Sequence, residues 1–540
     1  MQLKMWMLDI AREQAPNLDH LRRYAKLSLD SGYNALGLYL EHRFAYPSAP
    51  WVHGKECVTP EMVKQLVNEF PELKIIPFIN LLGHFEGFLY TEEGKQYREE
   101  LFSGLQASPA NPAFVELCKK LIDDTCEAFN SDIIHIGGDE TWQLGANQAS
   151  KDRIETLKAE FQDRFAGIVS ERVESESDAE NYGVTKANAE EGLDGKALLY
   201  GAHFGPLAEY VKAKGRRPAV WGDMYYDHPL ALEFMPKDTL IFDWQYFKGV
   251  AATAPQFTQK GFEVVGSPAL QTYNATWMHV EASERNVTEV TRDVMDQSLY
   301  GVCVTTWECG LFGAYDTVFP AIRACGKLLN GIDTSFYAEY GAESPAHERW
   351  ARLMSESLTG LGGMFDQGRI RSSLKVRLLL MSNPFLCWMH HHEELAGTEK
   401  GKKAIDLATE ALAIAPEEAY KGPSLFLRSA VEFVTIAEEA RQEYRARRSE
   451  ACVAKLASSR QIFDDLAKIA RWNHQRIGGS LADIERCRIA KEWVMTVMQR
   501  IRVYGDGQLG YLPAFEVISH PKFVPHDQAC WWLINRWANQ

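Results

Sequence analysis

The 540-residue chain has no stretch approaching the roughly 20 consecutive apolar residues that span a bilayer. Runs such as "ALGLYL", starting at Ala35, are far too short, so no membrane partner is expected. It also lacks an excess of positive charge. Its 58 Lys and Arg are outnumbered by 73 Asp and Glu, a formal net charge of -15. Binding to a phosphate backbone needs a basic footprint, so nucleic acid is excluded as an expected partner. The ten cysteines lie singly, without CxxC pairs, which leaves neither a zinc-ribbon pattern nor a small-domain disulfide framework. The opening "MQLKMWMLDIAR" has one Lys and no long apolar region before a small-residue cleavage site, so it reads as a first strand rather than a leader. Reduced thiols and a cytoplasmic location are the expectation.

What is present is an ordinary globular composition, 46% hydrophobic and 24% charged. At this length a single core is uncomfortable, and two domains are expected. Up to about residue 335, eight short apolar runs recur, each followed by a polar or aromatic cluster and a helix-like segment: "KMWMLDI", "YNALGLYL", "LKIIPFINLL", "DIIHIGG", "RPAVWGD", "TLIFDW", "FEVVGS" and "GVCVTTW". Strands this apolar are buried on both faces, as in a parallel sheet. Eight of them alternating with helices predict an α/β fold of the (β/α)8 barrel type over residues 1–335. No GxGxxG follows the first strand, which disfavours the rival open, doubly wound sheet. Leu18, Leu21, Ala25 and Leu29 supply helical spacing after the first run. A charged insertion is expected near 151–198.

From 336 to 540 the pattern becomes helical. Phe426, Ala430, Phe433, Ala437 and Ala440 form an amphipathic stripe, and segments near 366–396, 403–414, 424–446, 449–472 and 480–504 read similarly. No fixed period of 20 to 50 residues marks a solenoid. This all-α region is expected to shape the rim of the barrel or to mediate a homodimer.

In a (β/α)8 barrel the chemistry sits at the C-terminal ends of the strands. Two adjacent carboxylates, Asp139 and Glu140, follow "IIHIGG" there. A lone pair of this kind commonly caps the next helix, but the other strand ends carry suitable company. Arg12 follows the first strand, Glu41 with Tyr46 the second, and Gly83-His84 the third. Trp221 and Asp223 follow the fifth, Trp244 and Tyr246 the sixth, and Trp307 with Glu308 the eighth. Aromatic plates among carboxylates with one arginine describe a sugar pocket, in which C–H faces lie on indoles and hydroxyls bond to charged groups.

These residues carry a resemblance. "HIGGDE" resembles the H-x-G-G-D-E signature of family 20 glycoside hydrolases, the β-N-acetylhexosaminidases, and "MLDIAR" is similar to that family's first-strand L-D-x-[AS]-R. "LLGHFEGFL", "IHIGGDETWQLGANQAS" and "PAVWGDM" most resemble its short, hexosaminidase D-like subgroup. The resemblance implies an exo-acting, retaining enzyme without cofactor or metal, acting on terminal β-linked GlcNAc or GalNAc. In that scheme the substrate's 2-acetamido oxygen displaces the leaving group to give an oxazolinium ion. It implies Glu140 as general acid and base and Asp139 as the group that orients the acetamido N–H. Arg12 then bonds the 3- and 4-hydroxyls, His84 stands near the acid, Trp221 walls the acetamido pocket and Trp307 lies under the ring. Glu41 and Asp223 are assigned only to substrate or supporting contacts, and Tyr273 is matched to a seventh-strand tyrosine. The chain departs from the pattern in having Asn80-Leu81-Leu82-Gly83-His84 where D-x-P-G-H is common, and Trp307-Glu308 where W-x-E is common.

Two other classes compete: an amino-sugar-binding protein without turnover, and a metal-dependent barrel enzyme with Asp139, Glu140 and Asp223 around a divalent ion. "HHH" at His390 to His392 is expected to be a solvated helix end, and "CWWLINRW" from 530 to bury the tail.

Overall fold

A computed structural model of the chain describes residues 1–12, 14–100, 104–165, 193–272, 276–307, 312, 315–360, 378–380, 383–479 and 481–504. All eight apolar runs are strands: β1 (Leu3–Asp9), β2 (Ala35–Tyr39), β3 (Lys74–Phe78), β4 (Ile133–His135), β5 (Arg217–Trp221), β6 (Leu240–Trp244), β7 (Glu263–Ser267) and β8 (Gly301–Thr306). They close into a barrel in sequence order. β8 pairs with β1 in parallel, from Leu3 opposite Gly301 to Leu8 opposite Thr306.

The runs read as unbroken because both faces are buried. Met5, Met7, Phe78, Trp221 and Phe242 point into the barrel interior, while Trp6, Leu8, Ile75, Val220 and Ile241 pack outward under the helices. The interior is filled by rings. His135 stacks on Phe78 at 4.3 Å between centroids, and Trp221 lies 4.5 Å from His135. Room for Phe78 comes from Gly37, where an added Cβ would meet Phe78 Cε2 at 2.7 Å. Burial pushes the His135 imidazole well below its usual pKa, so it is a neutral packing residue.

Local signals start the surrounding helices. Asn17 caps Leu18–Asp30 in a reciprocal box with His20, and Asn111 with Pro112 opens Pro112–Ala128. The first of these helices buries Leu21, Tyr24, Ala25 and Ser28, whereas Leu18 and Leu29 are only half-buried. Truncating a buried leucine such as Leu21 costs about 2–5 kcal/mol. The expected charged insertion falls largely outside the described residues, between the helices Gln148–Phe161 and Gly195–Ala213.

Beyond the barrel strands the described residues are mostly helical, with Phe336–Glu343, Pro345–Gly360, Phe385–Leu395, Glu399–Ala413, Glu418–Arg445, Ser449–Ser458, Arg460–Ile477 and Leu481–Tyr504. The expected continuous helix over 449–472 is broken at Ser459, whose hydroxyl donates to the Leu456 carbonyl at 2.8 Å. The stripe from Phe426 to Ala440 is buried throughout. The histidine run differs from expectation. His391 is buried inside Phe385–Leu395 rather than solvated, because the helix face carrying Phe385, Cys387 and Trp388 packs inward with it. The "CWWLINRW" segment lies outside the described residues.

The helical region touches the barrel's upper loops. Ala15 N donates to the Gly478 carbonyl at 2.6 Å, and Asn473 Nδ2 donates to Phe312 O at 3.3 Å. These contacts brace the loops that follow β1 and β8. Among the described residues no helix is long and apolar enough to cross a membrane.

Candidate active site

β4 stops at His135, and Ile136-Gly137-Gly138 carry the chain to the barrel mouth. Both glycines have positive φ, 77° and 105°. A Cβ on Gly138 would meet Tyr200 Oη at 2.4 Å, where the Tyr200 hydroxyl donates to Gly138 O. Only glycine permits that turn beside that tyrosine. Asp139 emerges buried and Glu140 half-buried. The helix-cap alternative fails, since the next helix begins at Gln148 and is capped by the Asn147 side chain.

Three non-glycine residues at the mouth hold left-handed backbone: Glu41 at φ 37°, His84 at 48° and Glu140 at 48°. Such conformations cost on the order of 1–3 kcal/mol each and persist where neighbours enforce them. Here the neighbours are visible. Asp223 Oδ2 accepts from Glu140 N at 2.9 Å, and its Oδ1 accepts from Trp244 Nε1 at 3.2 Å. Gly83 presses so close to the Asp139 carbonyl that a Cβ there would stand 2.4 Å from it.

His84 Nε2 lies 2.9 Å from Glu140 Oε2 and 3.3 Å from Asp139 Oδ2. Burial lowers the imidazole pKa, but the charge of Asp139 and hydrogen bonds to both carboxylates outweigh it and lift it to about 10. One cation is thus shared by two acids. Asp139 Oδ1, by contrast, is buried with no hydrogen-bond partner among the described residues, and so is Trp221 Nε1. A buried acceptor without a donor is costly unless something else supplies one. Burial, then the nearby charge of Asp139, also raises the Asp223 carboxyl pKa well above its usual range.

Across the mouth stands Arg12. Its Nη1 bonds Asp9 Oδ2 at 2.7 Å and its Nη2 approaches Glu41 Oε1 at 3.4 Å. The guanidinium also lies 5.2 Å from the Tyr39 ring centroid and 5.6 Å from that of Trp307. Burial opposes its charge, yet Asp9, Tyr39 and Glu41 hold its pKa well above normal. The Tyr39 hydroxyl donates to Glu41 and accepts from Asn80 Nδ2 at 2.7 Å. Asn80, which stands at the Asp position of the common D-x-P-G-H pattern, therefore serves the arginine side of the site.

An aromatic wall joins the halves. Trp307 stands edge-on to Tyr39 at 4.9 Å, its Nε1 donates to Tyr246 Oη at 2.6 Å, and Tyr246 lies 4.9 Å from Trp244. Trp221 is 5.7 Å from Trp307. The structure thus brings Arg12, Glu41, His84, Asp139, Glu140, Trp221, Asp223, Trp244, Tyr246 and Trp307 into one connected ring. Tyr273 and Glu308 lie outside the described residues. Tyr46 packs into the core against Phe44 instead, at 4.9 Å. Sequence reasoning assigned no role to Asp9, Tyr39 and Asn80. Asp9 was visible inside "MLDIAR", Tyr39 ends its strand, and Asn80 was visible only as the residue that replaces the Asp of D-x-P-G-H. No set of three or more His, Cys, Asp or Glu among the described residues is arranged to hold a metal ion.

Such an arrangement offers a proton donor, a buried acceptor beside it and a cluster of indoles with an arginine against it. The family model described as glycosyl hydrolase family 20, catalytic domain, matches residues 61–355. Comparison with curated proteins gives no match. Among solved structures, a β-N-acetylhexosaminidase of Bacteroides fragilis is 18% identical, with a TM-score of 0.46, over 63% of this chain and 68% of that one. A Flavobacterium johnsoniae chitobiase is 13% identical, with a TM-score of 0.46, over 91% and 78%. An exo-β-N-acetylglucosaminidase of Vibrio harveyi is 16% identical, with a TM-score of 0.44, and the match spans 61% of this chain and 54% of that one.

Proposed function

Since this chain belongs to glycosyl hydrolase family 20, we propose that it is an exo-acting, retaining β-N-acetylhexosaminidase of the short subgroup, releasing terminal β-linked GlcNAc or GalNAc with the substrate's own acetamido group as nucleophile. The observation that carries this is the buried Asp139 Oδ1, unpartnered among the described residues, beside an acid held by His84. An acetamido N–H supplies the donor that this oxygen lacks. Its approach aims the acetamido carbonyl oxygen at the anomeric carbon and balances the positive charge that grows on the nitrogen.

In the first step that oxygen bonds to the anomeric carbon as the glycosidic C–O bond breaks. The bonding pair leaves with the aglycone oxygen, which takes the proton of Glu140. In the second step the Glu140 carboxylate takes a proton from water, whose oxygen attacks the same carbon. The oxazolinium ring opens, and the β-anomer is released with its acetamido group restored. Trp307 offers a floor for the sugar ring and Trp221 a wall for the acetamido methyl, while Arg12 bonds the outer hydroxyls. We assign the chemistry to a catalytic unit ending near residue 335 and a supporting role to the helices after it. A cytosolic setting belongs to the same proposal, supported by eight described cysteines that are all unpaired.

The test is initial rates on aryl β-GlcNAc, β-GalNAc and β-glucose substrates, with and without chelator. Cleavage of the acetamido sugars alone, unaffected by chelator, is expected. Equal cleavage of the glucoside overturns acetamido participation, loss on chelation favours a metal-dependent hydrolase, and binding without cleavage favours a sugar-binding protein.

A further inference from the structure

The aromatic side chains that form the pocket ring are buried or half-buried, but Trp142 is 41% exposed. Of the large hydrophobic side chains exposed among the described residues, it alone is aromatic, and it lies two positions beyond Glu140. Its backbone N–H donates to Glu140 O at 2.9 Å. Its indole stands edge-on to His84 at 6.4 Å between centroids, and His84 in turn touches Glu140 Oε2.

The segment carrying Trp142 is pinned. Thr141 and Leu144 on either side are buried. Gln143 N donates to Gln106 Oε1 at 3.0 Å, Gln143 Nε2 reaches Glu100 Oε2 at 3.1 Å, and Asn147 Nδ2 bonds Glu99 Oε2 at 2.8 Å. An indole displayed on an anchored loop presents a large apolar face at little entropic cost on binding, which is how tryptophan recognises sugar rings. Trp221, Trp307 and Arg12 adjoin one another around the inner position. Trp142 instead borders His84 and Glu140, the residues beside which the group that accepts Glu140's proton must lie.

We infer that Trp142 is the platform for the leaving group, stacking against the C–H face of the pyranose adjoining the bond that is cut. This rests on the hydrolase reading above. It makes Trp142 a specificity residue for sugar aglycones, favouring oligosaccharides over glycosides with a small leaving group.

The experiment compares kcat/KM for a β-linked N-acetylhexosamine disaccharide with that for the methyl glycoside of the same sugar, in the native enzyme, Trp142→Ala and Trp142→Phe. The expected result is a fall of about tenfold in the disaccharide-to-methyl ratio for Trp142→Ala, carried by KM, with partial recovery in Trp142→Phe. An unchanged ratio overturns the proposal. So does an equal loss on both substrates, which makes Trp142 a prop for His84. The same ratio is measurable without turnover, as calorimetric affinities of the two glycosides for Glu140→Gln with and without Trp142→Ala. An enzyme that binds these sugars without cutting them therefore defeats the hydrolase reading while the platform is still decided by the ratio. Failure to bind either glycoside overturns both.

Discussion

His84 and Glu140 share a left-handed backbone conformation, φ 48° at each, and meet through a 2.9 Å contact between Nε2 and Oε2. Two residues held in a disfavoured conformation face each other across the spot where the proposed mechanism delivers its proton.

This pairing sets a pH dependence. His84 titrates at about 10 in the folded chain against 6.5 ordinarily. A raised folded pKa means that its contribution to stability is complete below about pH 6.5 and is lost as pH climbs through 10. Thermal midpoints measured between pH 6 and pH 10 should therefore fall for the native protein and flatten in His84→Gln. Parallel curves for the two would contradict a charged His84.

Removing the acid should spare binding. In Glu140→Gln, turnover of a disaccharide should drop about 10²–10⁴-fold with little change in KM, and an aryl glycoside with a good leaving group should lose less. Steady-state kinetics on the two substrate types decide it, since near-native cleavage of the disaccharide is incompatible with Glu140 as the acid.

Arg12 should matter for folding as well as for sugar affinity. Arg12→Ala leaves Asp9 and Glu41 buried without their cation, and breaking such a buried pair costs about 3–5 kcal/mol. Arg12→Lys keeps a charge but not the fork, so it should recover part of the stability and less of the affinity. Urea denaturation and inhibitor titration separate the two effects.

Gly83 and Asp223 fix the acid loop from opposite sides. A Cβ at Gly83 would sit 2.4 Å from the Asp139 carbonyl, a backbone atom rather than the end of a flexible side chain. Asp223→Ala removes the acceptor that holds Glu140 N. Both substitutions should lower kcat at least tenfold by displacing Glu140, since a misplacement of about 1 Å costs on the order of 10²-fold. Asp223→Asn, with one acceptor left, should fall between. Unaltered kcat in Gly83→Ala would mean that the loop tolerates movement.

The barrel was legible because parallel strands buried on both faces are written as unbroken apolar runs, and the closed sheet uses each of them. The mouth residues were legible wherever position along a strand was enough, as for Arg12, Asp139 and Trp307. What position does not reveal is who holds whom. Asn80 serves Tyr39, and Asp223 reaches back to a backbone amide in another loop, because such pairings depend on register between strands distant in sequence. The exposure of Trp142 was hidden for the same reason, since it follows from where Gln106 and Glu99 dock. The break at Ser459 and the burial of His391 escaped because helical periodicity reports a face, not its surroundings.

The seam between β1 and β8 joins residues from opposite ends of the catalytic region, with the Thr306 hydroxyl donating to Met7 O across 299 positions. Arg12 and Trp307, the two sides of the pocket nearest that seam, meet only once it is made. A ribosome must therefore deliver nearly the whole barrel before any sugar can be gripped. Ligand affinity thus arrives late in synthesis and all at once, and a sugar analogue that rescues a destabilised variant has to act on closed barrels rather than on the growing chain.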